Sequence, residues 1–227
     1  MIDKIIDNLD ERSVMCLVNA LLFDAKWQVP YNEHQIDEGM FVTEENISQP
    51  AEFLCSMENC YLEDEYATGF LKYYEGGDFA FVAMLPKEEV SVEEYLMSLN
   101  VEQLLKNKKE CSVQTRLPKF ESDFSVTLND VLQKMGMEKA FDETEADFSG
   151  LGEIPDGNIY IGSVVHKTKI TVAEQGTKAG AATAAIMYAT GAPLEPKEVY
   201  LERPFVYMIM DMENNLPVFM GTLMSVE

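Results

Sequence analysis

Residues 174–185 read Glu174-Gln-Gly-Thr-Lys-Ala-Gly-Ala-Ala-Thr-Ala-Ala185 and directly follow the strand-like run Ile170-Thr-Val-Ala173. Twelve residues pass with mostly small, uncharged side chains and no proline. A surface loop would carry more turn formers and charge, and a settled strand more branched or aromatic residues. The composition suits a segment that is a loop in one state and a strand in another. Counted at period two from Thr177, one face is Thr177, Ala179, Ala181, Thr183 and Ala185. Each is small enough to slide between existing strands and be buried there. The opposite face begins with Lys178 and is free to stay in water.

Other motifs stand in a fixed order around this stretch. Val18-Asn-Ala-Leu-Leu-Phe-Asp-Ala-Lys-Trp27 comes first, then Leu117-Pro-Lys-Phe120, the helical spacing Leu128, Leu132, Met135-Gly-Met137, and Ala146-Asp-Phe-Ser-Gly150. Val164-Val-His-Lys167 precedes the alanine-rich run, and Arg203-Pro-Phe205 and Phe219-Met-Gly221 close the chain. In this order the motifs resemble the serpin family, and Glu174 to Thr183 resembles the hinge of its reactive-centre loop. The resemblance implies an α+β serpin fold over residues 1–227, with mixed sheets, packed helices and an exposed loop at about 174–196. Serpins are longer, and this chain starts just before the third strand of the family's main sheet, so the resemblance covers the C-terminal portion, without the N-terminal helical region.

The resemblance also implies roles. Glu174, Gly176, Thr177, Ala179, Ala181, Ala182 and Thr183 match the inserting hinge. Glu174, Lys119 and Trp27 match the breach, where an ion pair beside a tryptophan guards the point of loop entry. Asn19 and His166 match the shutter, a hydrogen-bonded pair on central strands; its usual serine partners belong to the part of the family that precedes this chain. Sixteen residues beyond Glu174, the family pattern puts the reactive bond at Thr190–Gly191, or at Ala189 if the register slips by one. A small residue there suits an elastase-like protease. A shift to Tyr188 would suit a chymotrypsin-like or subtilisin-like one. The implied activity is inhibition of serine proteases by suicide-substrate loop insertion, the cut loop entering from Thr177 onward. The alternatives are a non-inhibitory serpin-like interaction protein and an inert fragment. The resemblance further implies a monomer acting outside the cell.

Composition bounds the rest. The 227 residues carry a net charge of −23, which argues against nucleic acid and anionic membranes as partners. The 47% hydrophobic and 25% charged content is that of a globular chain. No apolar run reaches membrane-spanning length, and the start lacks the pattern of a signal peptide. Four cysteines (Cys16, Cys55, Cys60, Cys111) are too few for a disulfide framework and lack zinc spacing; Cys16, inside an apolar run, reads as a buried thiol. With only His34 and His166, and no nucleophile elbow or phosphate loop, we expect no enzyme, no metal and no cofactor.

Secondary structure follows from periodicity. Residues 13–27 read as a strand buried on both faces. Phe70–Tyr74 and Asp78–Leu85 read as a hairpin about Glu75-Gly-Gly77. Ser91 with Glu94 reads as a capping box opening a helix to about Leu105. Strands are expected at Cys111–Lys119, Ile159–Ala173, Val199–Leu201, Phe205–Met210 and Val218–Met224, a helix over Thr127–Lys139 ended by Gly136, and a turn at Gly152–Gly157. No compositional break marks a boundary, so one domain is the expectation.

Overall fold

The structure is a computed structural model that describes residues 15–152, 154–155, 157–177 and 196–226. The chain divides into two compact units, one of residues 1–23 and 122–170, the other of 24–121 and 171–227.

In the first unit, β1 (Cys16–Leu22) runs parallel to β9 (Ser163–Ala173), with Cys16 opposite Ser163 and Leu22 opposite Lys169. Strand β8 (Phe120–Thr127) also pairs with β9. The short helix α3 (Asn129–Lys134) is stitched to β9 by the Asn129 side chain, which donates to Gly162 O and accepts from Val164 N, both at 2.9 Å. Gly136, at φ 102°, ends the helical stretch as its sequence position implies. The two-sided burial expected over residues 13–27 does not hold along β1, although Trp27 is buried. Leu17, Val18 and Leu22 are 43%, 45% and 44% exposed, and Cys16 is only half-buried. Apolar composition reports what a strand can be buried against; successive residues of β1 point to opposite sides, and on neither is the cover complete.

The second unit holds, among the described residues, an eight-stranded sheet in the order β11 (Lys197–Tyr200), β7 (Lys109–Pro118), β4 (Ser48–Glu63), β5 (Ala67–Tyr73), β6 (Phe79–Pro86), β12 (Phe205–Asp211) and β13 (Leu216–Leu223), with β3 (Ile36–Val42) added on β4. The β5–β6 hairpin forms as expected, its turn using Gly76 and Gly77 at φ 91° and 81°. The predicted closing strands are β11, β12 and β13. Helix α1 (Val92–Ser98) opens with the full Ser91–Glu94 capping box. The expected single helix instead breaks at Leu99, because Asn100 caps a second one, α2 (Val101–Lys106), by accepting from Gln103 N at 3.0 Å.

The central strands are buried on both faces, which is why they read as near-continuous apolar runs. On one face Val82, Met84, Leu71, Met208 and Met210 pack with Tyr95 and Leu104 of the two helices. On the other, aromatic rings form a chain: Trp27 meets Phe81 at 5.8 Å, Phe81 stacks on Tyr207 at 6.0 Å, and Tyr207 meets Phe120 at 5.2 Å. Full burial of each such ring contributes about 1.5–3 kcal/mol. This rigid aromatic layer carries Trp27 and fixes the ground on which the hinge sits.

Candidate functional site at the loop hinge

After β9 the chain turns at Glu174–Gln175 and enters a two-residue strand, β10 (Gly176–Thr177). It pairs on one side with the end of β9, Gly176 opposite Ala173 and Thr177 opposite Val172. On the other side it pairs with β2 (Ala25–Lys26), Gly176 opposite Lys26 and Thr177 opposite Ala25. The first hinge residues therefore already lie between two strands. The resemblance implies that loop insertion begins at Thr177, and in this structure Thr177 is 0% exposed. Gly176 permits the entry, because its φ is 146° and a Cβ there would run into the backbone of Ala25 and Lys26. The Thr177 hydroxyl is satisfied by the Tyr74 hydroxyl at 2.7 Å.

Trp27 clamps the same turn. Its indole N–H donates to Ala173 O at 2.8 Å, and its backbone N–H donates to Gln175 O at 3.0 Å. The ring, 1% exposed, stacks on Tyr74 at 4.6 Å between centroids and 14° between planes. Tyr31 N–H donates to Glu174 O at 2.9 Å. Beside this, Lys119 Nζ donates to Glu174 Oε1 at 2.7 Å and to Glu52 Oε2 at 2.9 Å. The structure thus brings Glu174, Lys119 and Trp27 to one turn. The Lys119 hydrogen bond holds the Glu174 carboxyl below the usual carboxylate range, and the Glu174 bond raises the Lys119 ammonium. Burial pushes the Tyr74 phenol upward, so its proton stays in place for the bond to Thr177.

Sequence reasoning missed what supports this layer. Lys72 is 3% exposed, paired with Glu58 at 2.7 Å, and its ammonium lies 4.4 Å from the Tyr31 ring centroid and 5.7 Å from that of Trp27. Glu58 also accepts from Ser56 Oγ at 2.6 Å, and Ser56 meets Thr115 Oγ1 at 3.0 Å. Burial, then the Glu58 charge, push the Tyr31 phenol well up, so it stays neutral beside Lys72. The available signal was a lysine in the apolar run Phe70-Leu-Lys-Tyr-Tyr74, which a buried cation explains only if it has a partner.

Asn19 and His166 come directly opposite each other in the β1–β9 register, with Asn19 exposed and His166 half-buried. Ala179, Ala181, Ala182, Thr183, Ala189, Thr190 and Gly191 lie outside the described residues. Among the described residues no helix is long and apolar enough to cross a membrane, and no group of three or more His, Cys, Asp or Glu could hold a metal ion. All four cysteines are free thiols.

Comparison with known proteins places this geometry. The family model described as serpin (serine protease inhibitor) matches residues 1–226. A crystal structure of a thermophilic serpin, Tengpin, in its native state superposes with a TM-score of 0.93 at 44% identity, covering 99% of this chain and 59% of that one. Tengpin in its latent state gives 0.75 at 40% identity, covering 90% and 55%, so the fold is nearer to the native form. Among curated relatives, a serpin-like protein of Thermococcus kodakarensis is 34% identical over 99% of this chain and 53% of its own length. Serpin B10 of Sorex araneus is 29% identical over 96% and 56%. The chain thus spans between about half and three-fifths of the length of the proteins it matches. With a family match over nearly every residue and a fold that superposes on a member's native form, the chain belongs to the serpin family.

Proposed function

We propose that this chain is the C-terminal portion of a serine protease inhibitor that works by suicide-substrate loop insertion. The observation that carries the reading is the seating of Gly176–Thr177 between β9 and β2, next to the Glu174–Lys119 pair. A segment that continues from there with alanine and threonine on its inserting face carries no bulky or charged side chain to oppose its becoming a further strand. The protease attacks the carbonyl of Thr190, or of Ala189, forming an acyl-enzyme. Strand extension then carries the bound protease away before water completes the second step. Strand insertion is an established mode of recognition and strain release, for which serpins are the standing example. The small residues at the proposed bond suit an elastase-like protease; the action is proposed to be extracellular, the family having secreted members.

The test is incubation with an elastase-like protease, followed by denaturing electrophoresis and mass spectrometry. A covalent complex with cleavage after Thr190 or Ala189 is expected, and cleavage only after Lys197 or Arg203 overturns the assignment. Thr177→Arg would bury an unpaired charge at a cost of about 3–5 kcal/mol. It should turn the inhibitor into a substrate, cut at the same bond with release of active protease. A second reading, an inert fragment, is favoured by the exposure of Leu17, Val18 and Leu22 and by the partial span of the relatives. It predicts cleavage without a complex in this chain, and a complex once the residues that complete a full-length relative are supplied.

A further inference from the structure

We infer that the Tyr74 hydroxyl is a latch that holds the uncut hinge inside the sheet, and that it selects a hydroxyl side chain at position 177. The elements on its two sides explain why this bond has leverage. Tyr74 belongs to the rigid side: its backbone bridges Trp27, and the flanking Gln28 N–H and Glu75 N–H bond to Tyr73 O and Lys26 O at 2.9 and 2.8 Å. Its ring is pinned flat against Trp27, whose indole N–H reaches the last carbonyl of β9. Thr177 belongs to the segment that must move, and it is the last described residue before the alanine-rich run. The two oxygens meet at 2.7 Å in a site without solvent, so neither can exchange its partner for water. A methyl in place of the Tyr74 hydroxyl takes away the partner of the buried Thr177 hydroxyl, and a methyl in place of the Thr177 hydroxyl removes the same bond from the hinge side.

The consequence rests on the insertion reading. Ordering the first strand pairs is the entropically costly part of adding a strand, and each later pair adds to an existing end. Held by Tyr74, the hinge has met that cost before cleavage, so extension starts from a formed end rather than from a free loop. Loosening the latch would return Gly176 and Thr177 to the loop without altering the reactive bond.

The experiment uses the 227-residue chain alone and reads hydrogen–deuterium exchange over residues 171–177, with exchange over β6 and β12 as the check that the fold is intact. Trp27, the one tryptophan of the sequence, supplies a second readout through acrylamide quenching. Tyr74→Phe and Thr177→Val, each close to isosteric, should raise hinge exchange about tenfold and increase quenching, with β6 and β12 unaffected. Thr177→Ser should stay near the parent, and the double variant should show no more exchange than either single one, since the same bond is lost in all three and the double strands no hydroxyl. Unchanged hinge exchange in Thr177→Val, or a double variant showing the product of the two single effects, overturns the latch. If Tyr74→Phe does not fold, Thr177→Val against Thr177→Ser decides alone. No protease enters the measurement. A latched chain that never forms a covalent complex sinks the inhibitory reading only, and a trapping chain with unaltered exchange sinks the latch only.

Discussion

Polar side chains on strands are handled in opposite ways at two places, the hinge in the second unit and the Asn19–His166 pair in the first. At the hinge of the second unit every polar group that leaves water meets a partner: Thr177 meets Tyr74, Glu174 meets Lys119, and Lys72 meets Glu58. In the first unit Asn19 stands exposed opposite a half-buried His166, on a strand whose Leu17 and Leu22 are also open to solvent. Register alone made both places look equally specific. Burial separates them, because a hydrogen bond contributes most where failing to make it is costly. The hinge is a finished site, and the Asn19–His166 pairing is a backbone arrangement whose side chains still have water as an alternative.

The largest expected effect follows from the most deeply buried charge. Lys72→Met removes the cation but leaves the Glu58 carboxylate beneath the Trp27–Tyr31 layer, at a cost of about 3 kcal/mol. Urea unfolding followed by Trp27 fluorescence should show the drop as a lower midpoint at constant slope. Adding Glu58→Gln should recover a large part of it, since no orphaned charge remains. A midpoint that did not move would put Lys72 on a par with the exposed polar groups of β1 and erase the contrast between the two places.

The hinge was legible because its information is local: Glu174, Gly176, Thr177 and the alanines that follow carry their own size and spacing. The hairpin at Gly76–Gly77 and the strands β11 to β13 were legible for the same reason. Strand β4 was not read from the sequence. Pro50 and the irregularity between Glu58 and Cys60 break its alternation, and Ser56 and Glu58 turn polar side chains toward Lys72, so its inward face does not look apolar. In the sequence Tyr74 is only the end of an apolar run. Its importance comes from Thr177, 103 residues away, and no spacing rule reaches that far. For β1 the difference runs the other way. Its composition predicts burial, but burial is a property of what lies alongside a strand, which composition does not report.

A smaller effect is expected at the Glu174–Lys119 pair, where Lys119 is 26% and Glu174 29% exposed and solvent screens the attraction. Glu174→Gln should cost no more than about 1 kcal/mol at neutral pH. The pH dependence identifies the carboxylate. Its folded pKa lies below the ordinary value, so its stabilisation is complete above the unfolded carboxylate range and is lost as pH falls through the folded value. The gap in unfolding free energy between the parent and Glu174→Gln should therefore close on acidification from pH 7. A gap that widened toward acid would mean that the Lys119 bond does not favour the ionised form.

The smallest effect is expected where the resemblance to the family's shutter suggested a large one. Asn19 is exposed and His166 half-buried, so truncating either side chain leaves nothing stranded away from water. In this chain Asn19→Ala and His166→Ala should each change stability by less than about 0.5 kcal/mol, the usual range for exposed substitutions. The double variant should equal the sum of the two, with no coupling beyond about 0.3–0.5 kcal/mol. Thermal unfolding by circular dichroism on all four chains closes the cycle. A coupling above about 1 kcal/mol would mean that the two side chains share an interaction strong enough to exclude water. The β1–β9 register would then place a working polar pair, and the first unit would resemble the hinge rather than contrast with it.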